Sequence, residues 1–108
     1  MGIDMASSGA SLETVARRVL ISGRVQGVGY RYSLAEQARD LNIQGWCRNL
    51  PDGRVEAWLQ GSRAAIDGIL DWIHQGPPAA IVEDVRVEDH AVLEPLLSES
   101  IQLFEIRK

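Results

Sequence analysis

A chain of 108 residues with 45% hydrophobic and 24% charged residues is long enough to bury one core and has the balance of a soluble globular domain. Its net charge of −4 argues against general binding to nucleic acid or to an anionic membrane surface. No apolar run approaches the roughly 18 residues of a membrane span, and the single cysteine, Cys47, can form no intramolecular disulfide, which fits a reducing cytoplasm.

Residues 1–14 read as a flexible N-terminal tail, small and polar, with Ser7, Ser8, Gly9 and Ser11 clustered. They lack the basic and long apolar regions of a signal peptide. Residues 15–108 then make a single domain. Val15 to Ile21 suits a first strand, with Val15, Val19 and Ile21 on its core face. A glycine-rich turn follows, and then a helix from about Tyr30 to Leu41. Leu34, Ala38 and Leu41 fall at i, i+4 and i+7 of this helix, and Asn42 suits its C-terminal cap.

A second strand covers Gln44 to Asn49. Leu50-Pro51-Asp52-Gly53 is a tight turn, and a third strand runs from Arg54 to Gln60. Val55, Ala57 and Leu59 lie on one face of that strand, with Glu56, Trp58 and Gln60 on the other. Ser62 can cap a second helix to about His74, striped by Ile66, Ile69, Leu70 and Ile73 and stopped by Gly76-Pro77-Pro78. A fourth strand lies within Ile81 to Glu88. An irregular stretch from Asp89 to Ser100, containing Pro95, precedes a last strand from about Ile101 to Arg107. This order, βαββαβ with a short additional strand, predicts an α+β ferredoxin-like sandwich. Its antiparallel sheet of about five strands carries both helices on one face, with the first and third strands central and adjacent.

The stretch Gly23-Arg24-Val25-Gln26-Gly27-Val28-Gly29-Tyr30-Arg31 holds the first candidate site. Glycines at a strand-to-helix turn let several N–H groups converge on one point. The start of the helix adds unpaired N–H groups and the positive end of its dipole. Such a cradle suits an anion, phosphate above all, and Arg31 adds a fork that can grip two phosphate oxygens. The stretch matches neither GxxxxGK[ST] nor GxGxxG. A glycine-rich turn of purely structural use remains the alternative.

Asn49, at a strand end before a tight turn, is the second candidate; by itself it also reads as a turn residue bonding its own backbone. Trp46 reads as a packing residue, Cys47 as a small buried hydrophobe rather than a nucleophile, and Arg48 and Arg54 as solvated strand charges. His74 and His90 stand alone, and no cluster of His and Cys has metal-ligand spacing.

Taken together, Gly23 to Arg31 and Gly45 to Gly61 resemble the two signatures of the acylphosphatase family. The second carries Trp46, Cys47, Arg48, Asn49, Gly53, Val55 and Gly61. The likeness extends in element order from about Val15 to Lys108. It departs at Tyr30, where the family more often has Phe; the ring should fill the same apolar space, although a phenol near the anion site can alter binding.

The resemblance implies hydrolysis of the mixed anhydride of a carboxylic acid and phosphate, without metal or other cofactor. Arg31 and the amides of the 23–30 loop would hold the phosphoryl group, Asn49 would orient the attacking water, and its proton would pass to a phosphate oxygen. The implied partners are a small acyl phosphate and inorganic phosphate, the latter as product and competitive inhibitor. Neither nucleic acid nor membrane is expected, and the protein would be a cytoplasmic monomer.

Two readings compete from outside enzymology. One is a ferredoxin-like RNA-binding module. Gly27 to Arg31 has a faint likeness to an RNA-binding signature but precedes a helix instead of lying on a central strand. The other is a sensor that binds phosphate metabolites in the same cradle without turnover. Acylphosphatase-like domains also occur inside larger carbamoyl-transfer proteins; the lack of zinc-finger-like cysteines points to a free-standing one.

Overall fold

The structure, a computed structural model, describes residues 13–93 and 104–108. The expected tail lies outside them as far as residue 12, and Thr14 already belongs to a strand. Five strands, β1 (Thr14–Arg24), β2 (Gln44–Asn49), β3 (Val55–Ser62), β4 (Ile81–His90) and β5 (Phe104–Arg107), form one sheet in the order β4-β1-β3-β2-β5. Helix α1 (Tyr30–Asp40) packs over β2 and β5, and α2 (Arg63–Gln75) packs over β3, β4 and β1. The α+β ferredoxin-like arrangement expected from the element order is present, with β1 and β3 adjacent at the centre.

The expectation of an antiparallel sheet is corrected at one edge. β1–β3, β1–β4 and β2–β3 are antiparallel, but β5 lies parallel to β2, with Gly45 opposite Phe104 and Arg48 opposite Arg107. β5 follows β4 in the chain yet joins the opposite edge of the sheet, running the other way. The slot it fills there lies beside β2, which points in that same direction. Ile101 to Leu103, expected at the start of this strand, fall outside the described residues, as does Pro95.

The alternating residues behave as the periodicity requires. Val15, Val19 and Ile21 of β1, Val55, Ala57 and Leu59 of β3, Leu34 and Ala38 of α1, and Ile66, Ile69 and Ile73 of α2 share one buried cluster with Tyr30 and Phe104. Leu41, the last member of the α1 stripe, is exposed because it caps a helix that ends at Asp40. Asn42 after it takes a left-handed φ of 57°, as a C-terminal cap demands. The Ser62 hydroxyl accepts from the Ala65 N–H at 3.1 Å and starts α2.

The other face of β3 is also covered. Glu56, Trp58 and Gln60 are all buried. The Gln60 side chain exchanges hydrogen bonds with the backbone of Leu93, donating at 3.1 Å and accepting at 2.9 Å. Leu93, three residues past the end of β4, therefore lies against this face. The Trp58 ring meets the edge of His90 at a centroid distance of 5.1 Å.

An ion row crosses four strands on this face. Glu88 on β4 pairs with Arg18 on β1, Arg18 with Glu56 on β3, and Glu56 with Arg48 on β2, at N–O distances of 3.1, 2.7 and 2.6 Å. Arg48 is thus no simple solvated charge. It neutralises a buried carboxylate and its guanidinium lies over the Trp46 ring at 5.6 Å. Arg54 remains at the surface, paired with Asp52 at 2.9 Å.

Candidate active site

β1 runs three residues beyond Ile21 and ends with a bulge between Ser22 and Gly23 against β4. Gly23 has φ 124°, and a Cβ there would lie 2.2 Å from the Ile81 carbonyl oxygen, so close strand pairing requires glycine. Gly23 and Arg24 therefore close the strand. The loop proper begins at Val25, whose buried side chain anchors it to the core. Gly27 and Gly29 take φ of 75° and 77°, where a Cβ would meet nothing within 4 Å. The left-handed backbone, rather than crowding, calls for glycine at these two positions.

Gly29 is also the N-cap of α1, with no side-chain capping bond, and no acidic residue stands in the first turn. The first backbone bond into the helix runs from Ser33 N–H to the Gly29 carbonyl at 3.0 Å. Among the described residues, no backbone carbonyl takes the N–H groups of Gly27 through Tyr32. A run of free donors thus sits at the positive end of a helix, open to an anion.

Asn49 closes β2 opposite Val55. The turn after it is tied by Leu50 N–H to the Arg54 carbonyl at 2.8 Å and by Gly53 N–H to the Leu50 carbonyl at 3.1 Å. The two candidate stretches meet through Gln26. Its Nε2 donates to the carbonyls of Leu50 and Arg54 at 2.8 and 3.0 Å, pinning the glycine loop to the β2–β3 turn. Arg31 and Asn49 line one cleft of about 140 Å³ together with Val25, Gly27, Gly29, Tyr30 and Tyr32. Asn49 Oδ1 is itself buried, with no hydrogen-bond partner among the described residues. A buried acceptor left unpaired is costly in a finished fold.

Arg31 sits at the mouth, its Nη1 donating to the Arg107 carbonyl at 3.3 Å, so the end of β5 helps to place it. Cys47 lies beneath, its thiol donating to the Arg31 carbonyl at 3.8 Å. Burial, only partly offset by Arg31 and Arg39, pushes the Cys47 thiol up to about 12, so it stays protonated and is no nucleophile at neutral pH.

The ring of Tyr30 is buried in the core cluster, and its Oη donates to the carbonyl of Ile73 in α2 at 2.7 Å. The reason lies in α2. The carbonyl of Ile73 would ordinarily accept from the residue four positions on, and that residue is Pro77, which has no N–H.

Of the residues expected to form the site, Val25, Gly27, Gly29, Tyr30, Arg31 and Asn49 line the cleft. Gln26 works from behind it, and Gly23, Arg24 and Val28 do not line it. Tyr32, not singled out from the sequence, does line it while remaining 70% exposed. Its signal was its place two residues after core-facing Tyr30, some ~200° around the helix at 3.6 residues per turn.

Fold and cleft together define a βαββαβ sandwich with a glycine-lined cleft at its first strand-to-helix turn. The acylphosphatase family model matches residues 17–104, and the chain belongs to that family. It is 44% identical over 104 residues to an acylphosphatase of Trichormus variabilis, covering 96% of this chain and 97% of that one. Over 76 residues it is 54% identical to an acylphosphatase of Anaeromyxobacter dehalogenans, covering 70% of this chain and 82% of the other. The crystal structure of acylphosphatase from Bacillus subtilis superposes with a TM-score of 0.78 at 32% identity, covering 87% of this chain and 99% of that one.

Proposed function

We propose that this chain hydrolyses the carboxyl–phosphate bond of small acyl phosphates, with Arg31 and the N–H groups of the glycine loop and first turn of α1 holding the phosphoryl group and Asn49 orienting the water. One observation carries the reading: Gly27, Gly29, Arg31 and Asn49 line one small cleft, beside backbone N–H groups at the start of α1 that no backbone carbonyl takes among the described residues.

The chemistry needs little more. The leaving carboxylate has an ordinary pKa near ~4, so it departs with the bonding electron pair and requires no general acid. Phosphoryl transfer through a loose transition state depends on alignment and on stabilising the equatorial oxygens, the task of Arg31 and the amides. Asn49 cannot act as a strong base. By accepting a hydrogen bond from the water it lines up a water lone pair with phosphorus and removes part of the entropic barrier. The P–O bond to the acyl carboxylate breaks as the bond to water forms, and the water proton passes to a phosphate oxygen. Inorganic phosphate, which fits the same cradle, acts as a competitive inhibitor, and the enzyme works as a cytoplasmic monomer.

The deciding experiment is release of phosphate from benzoyl phosphate by purified protein in excess chelator. Turnover of about ten per second or faster is the expected result. A folded sample with no release above the uncatalysed rate would reduce the cleft to a binding site.

A further inference from the structure

The phosphoryl group accounts for one end of an acyl phosphate and leaves the acyl end without a partner. With water held at Asn49, in-line displacement places the leaving carboxylate on the far side of phosphorus, directed out of the cleft. The apolar side chains of Val25 and Tyr30 are closed off beneath it, each about 1% exposed. Among the residues that line the cleft, Tyr32 alone offers a large apolar surface to solvent, at 70% exposure. Tyr32 stands in the first turn of α1 with no hydrogen bond or ring contact to another described residue.

Resting on the acyl phosphate reading above, we propose that Tyr32 is a specificity-determining residue. Its ring packs against the acyl group and favours aromatic and bulky apolar acyl phosphates over small ones. An aromatic ring offers a flat apolar face that an aryl or branched acyl group can cover, whereas an acetyl group reaches too little of it to gain comparably. The selectivity enters through substrate binding at the rim, since the ring lies outside the phosphoryl cradle. It appears in KM more than in kcat.

The test compares benzoyl phosphate with acetyl phosphate as the ratio of their kcat/KM values in the parent protein, Tyr32→Ala and Tyr32→Phe. The parent is expected to favour benzoyl phosphate. Tyr32→Ala should lower the ratio roughly five-fold through a raised KM for benzoyl phosphate, and Tyr32→Phe should keep it, since the ring and not the hydroxyl makes the contact. A ratio unchanged in Tyr32→Ala overturns the proposal, and so does an equal loss on both substrates. A ratio that falls as far in Tyr32→Phe overturns the role of the ring. Failure of the parent to hydrolyse either substrate is a separate result, which sinks the hydrolase reading itself.

Discussion

Gln26 Nε2 bonds the carbonyl of Leu50 at 2.8 Å and that of Arg54 at 3.0 Å, so one side-chain amide holds the glycine loop against the turn that follows Asn49. Both carbonyls keep a backbone donor without it, Gly53 N–H on Leu50 and Leu50 N–H on Arg54. Gln26→Leu should therefore remain folded, losing about 1–2 kcal/mol in urea unfolding. Catalysis should suffer more, because the water at Asn49 and the phosphoryl group would no longer be held in register. We expect kcat to drop at least about ten-fold with little change in the inhibition constant of phosphate. A folded Gln26→Leu enzyme with normal kcat would show that the tie does not set the alignment.

Arg31→Lys retains the charge and loses the fork. An ammonium cannot hold two phosphoryl oxygens in a plane, and kcat/KM should fall about 10- to 100-fold, with weaker inhibition by phosphate. A lysine variant near the parent kcat/KM would remove the bidentate role. Arg31→Ala should lose binding and turnover together.

Asn49→Ala separates water alignment from phosphate binding. The cradle donors are untouched by this change, so the inhibition constant of phosphate should hold within about two-fold while kcat falls about 100-fold. Collapse of phosphate inhibition would instead make Asn49 a ligand contact or a support of the fold.

Tyr30→Phe tests the bond across the core. The ring would still fill its place against Trp72, whose centroid is 5.5 Å away, but the Ile73 carbonyl would lose the donor that stands in for the missing N–H of Pro77. A loss of about 1–3 kcal/mol follows from leaving that acceptor unpaired. Thermal unfolding would report it as a lower Tm. An unaltered Tm would mean that the carbonyl finds water instead.

The ion row makes stability acid-sensitive. Burial alone would raise the Glu56 carboxyl, but hydrogen bonds from Arg48 and Arg18 outweigh it and hold the group below the usual carboxylate range. Bonds from His90 and Arg18 hold Glu88 low as well. A carboxylate whose folded-state pKa lies below its unfolded value stabilises the fold above that unfolded value. The contribution is lost as pH falls through the folded one. Because Arg18 and Arg48 are partly solvated, Glu56→Gln should cost a moderate 1–3 kcal/mol, very roughly, at neutral pH. Urea midpoints of parent and variant should then converge as pH falls below the usual carboxylate range. A gap that stays constant with pH would assign the loss to packing rather than charge.

Much of this molecule can be read along the chain because its causes are local. Alternation in Val55, Ala57 and Leu59, the Pro51-Asp52-Gly53 turn, the Ser62 cap and the Gly76-Pro77-Pro78 stop each act within a few residues, and the element order follows from them. The glycine loop and Asn49 are legible for a similar reason, since φ above zero and a strand end leave a mark in residue type. Contacts between distant residues leave no such mark. The parallel seat of β5, the burial of Glu56 between two arginines, the reach of Tyr30 to Ile73 and the hold of Gln26 on Leu50 join residues that each look ordinary in their own stretch. Their partners are chosen by which strand edge remains open and which carbonyl or charge is left without a neighbour once the sheet has closed.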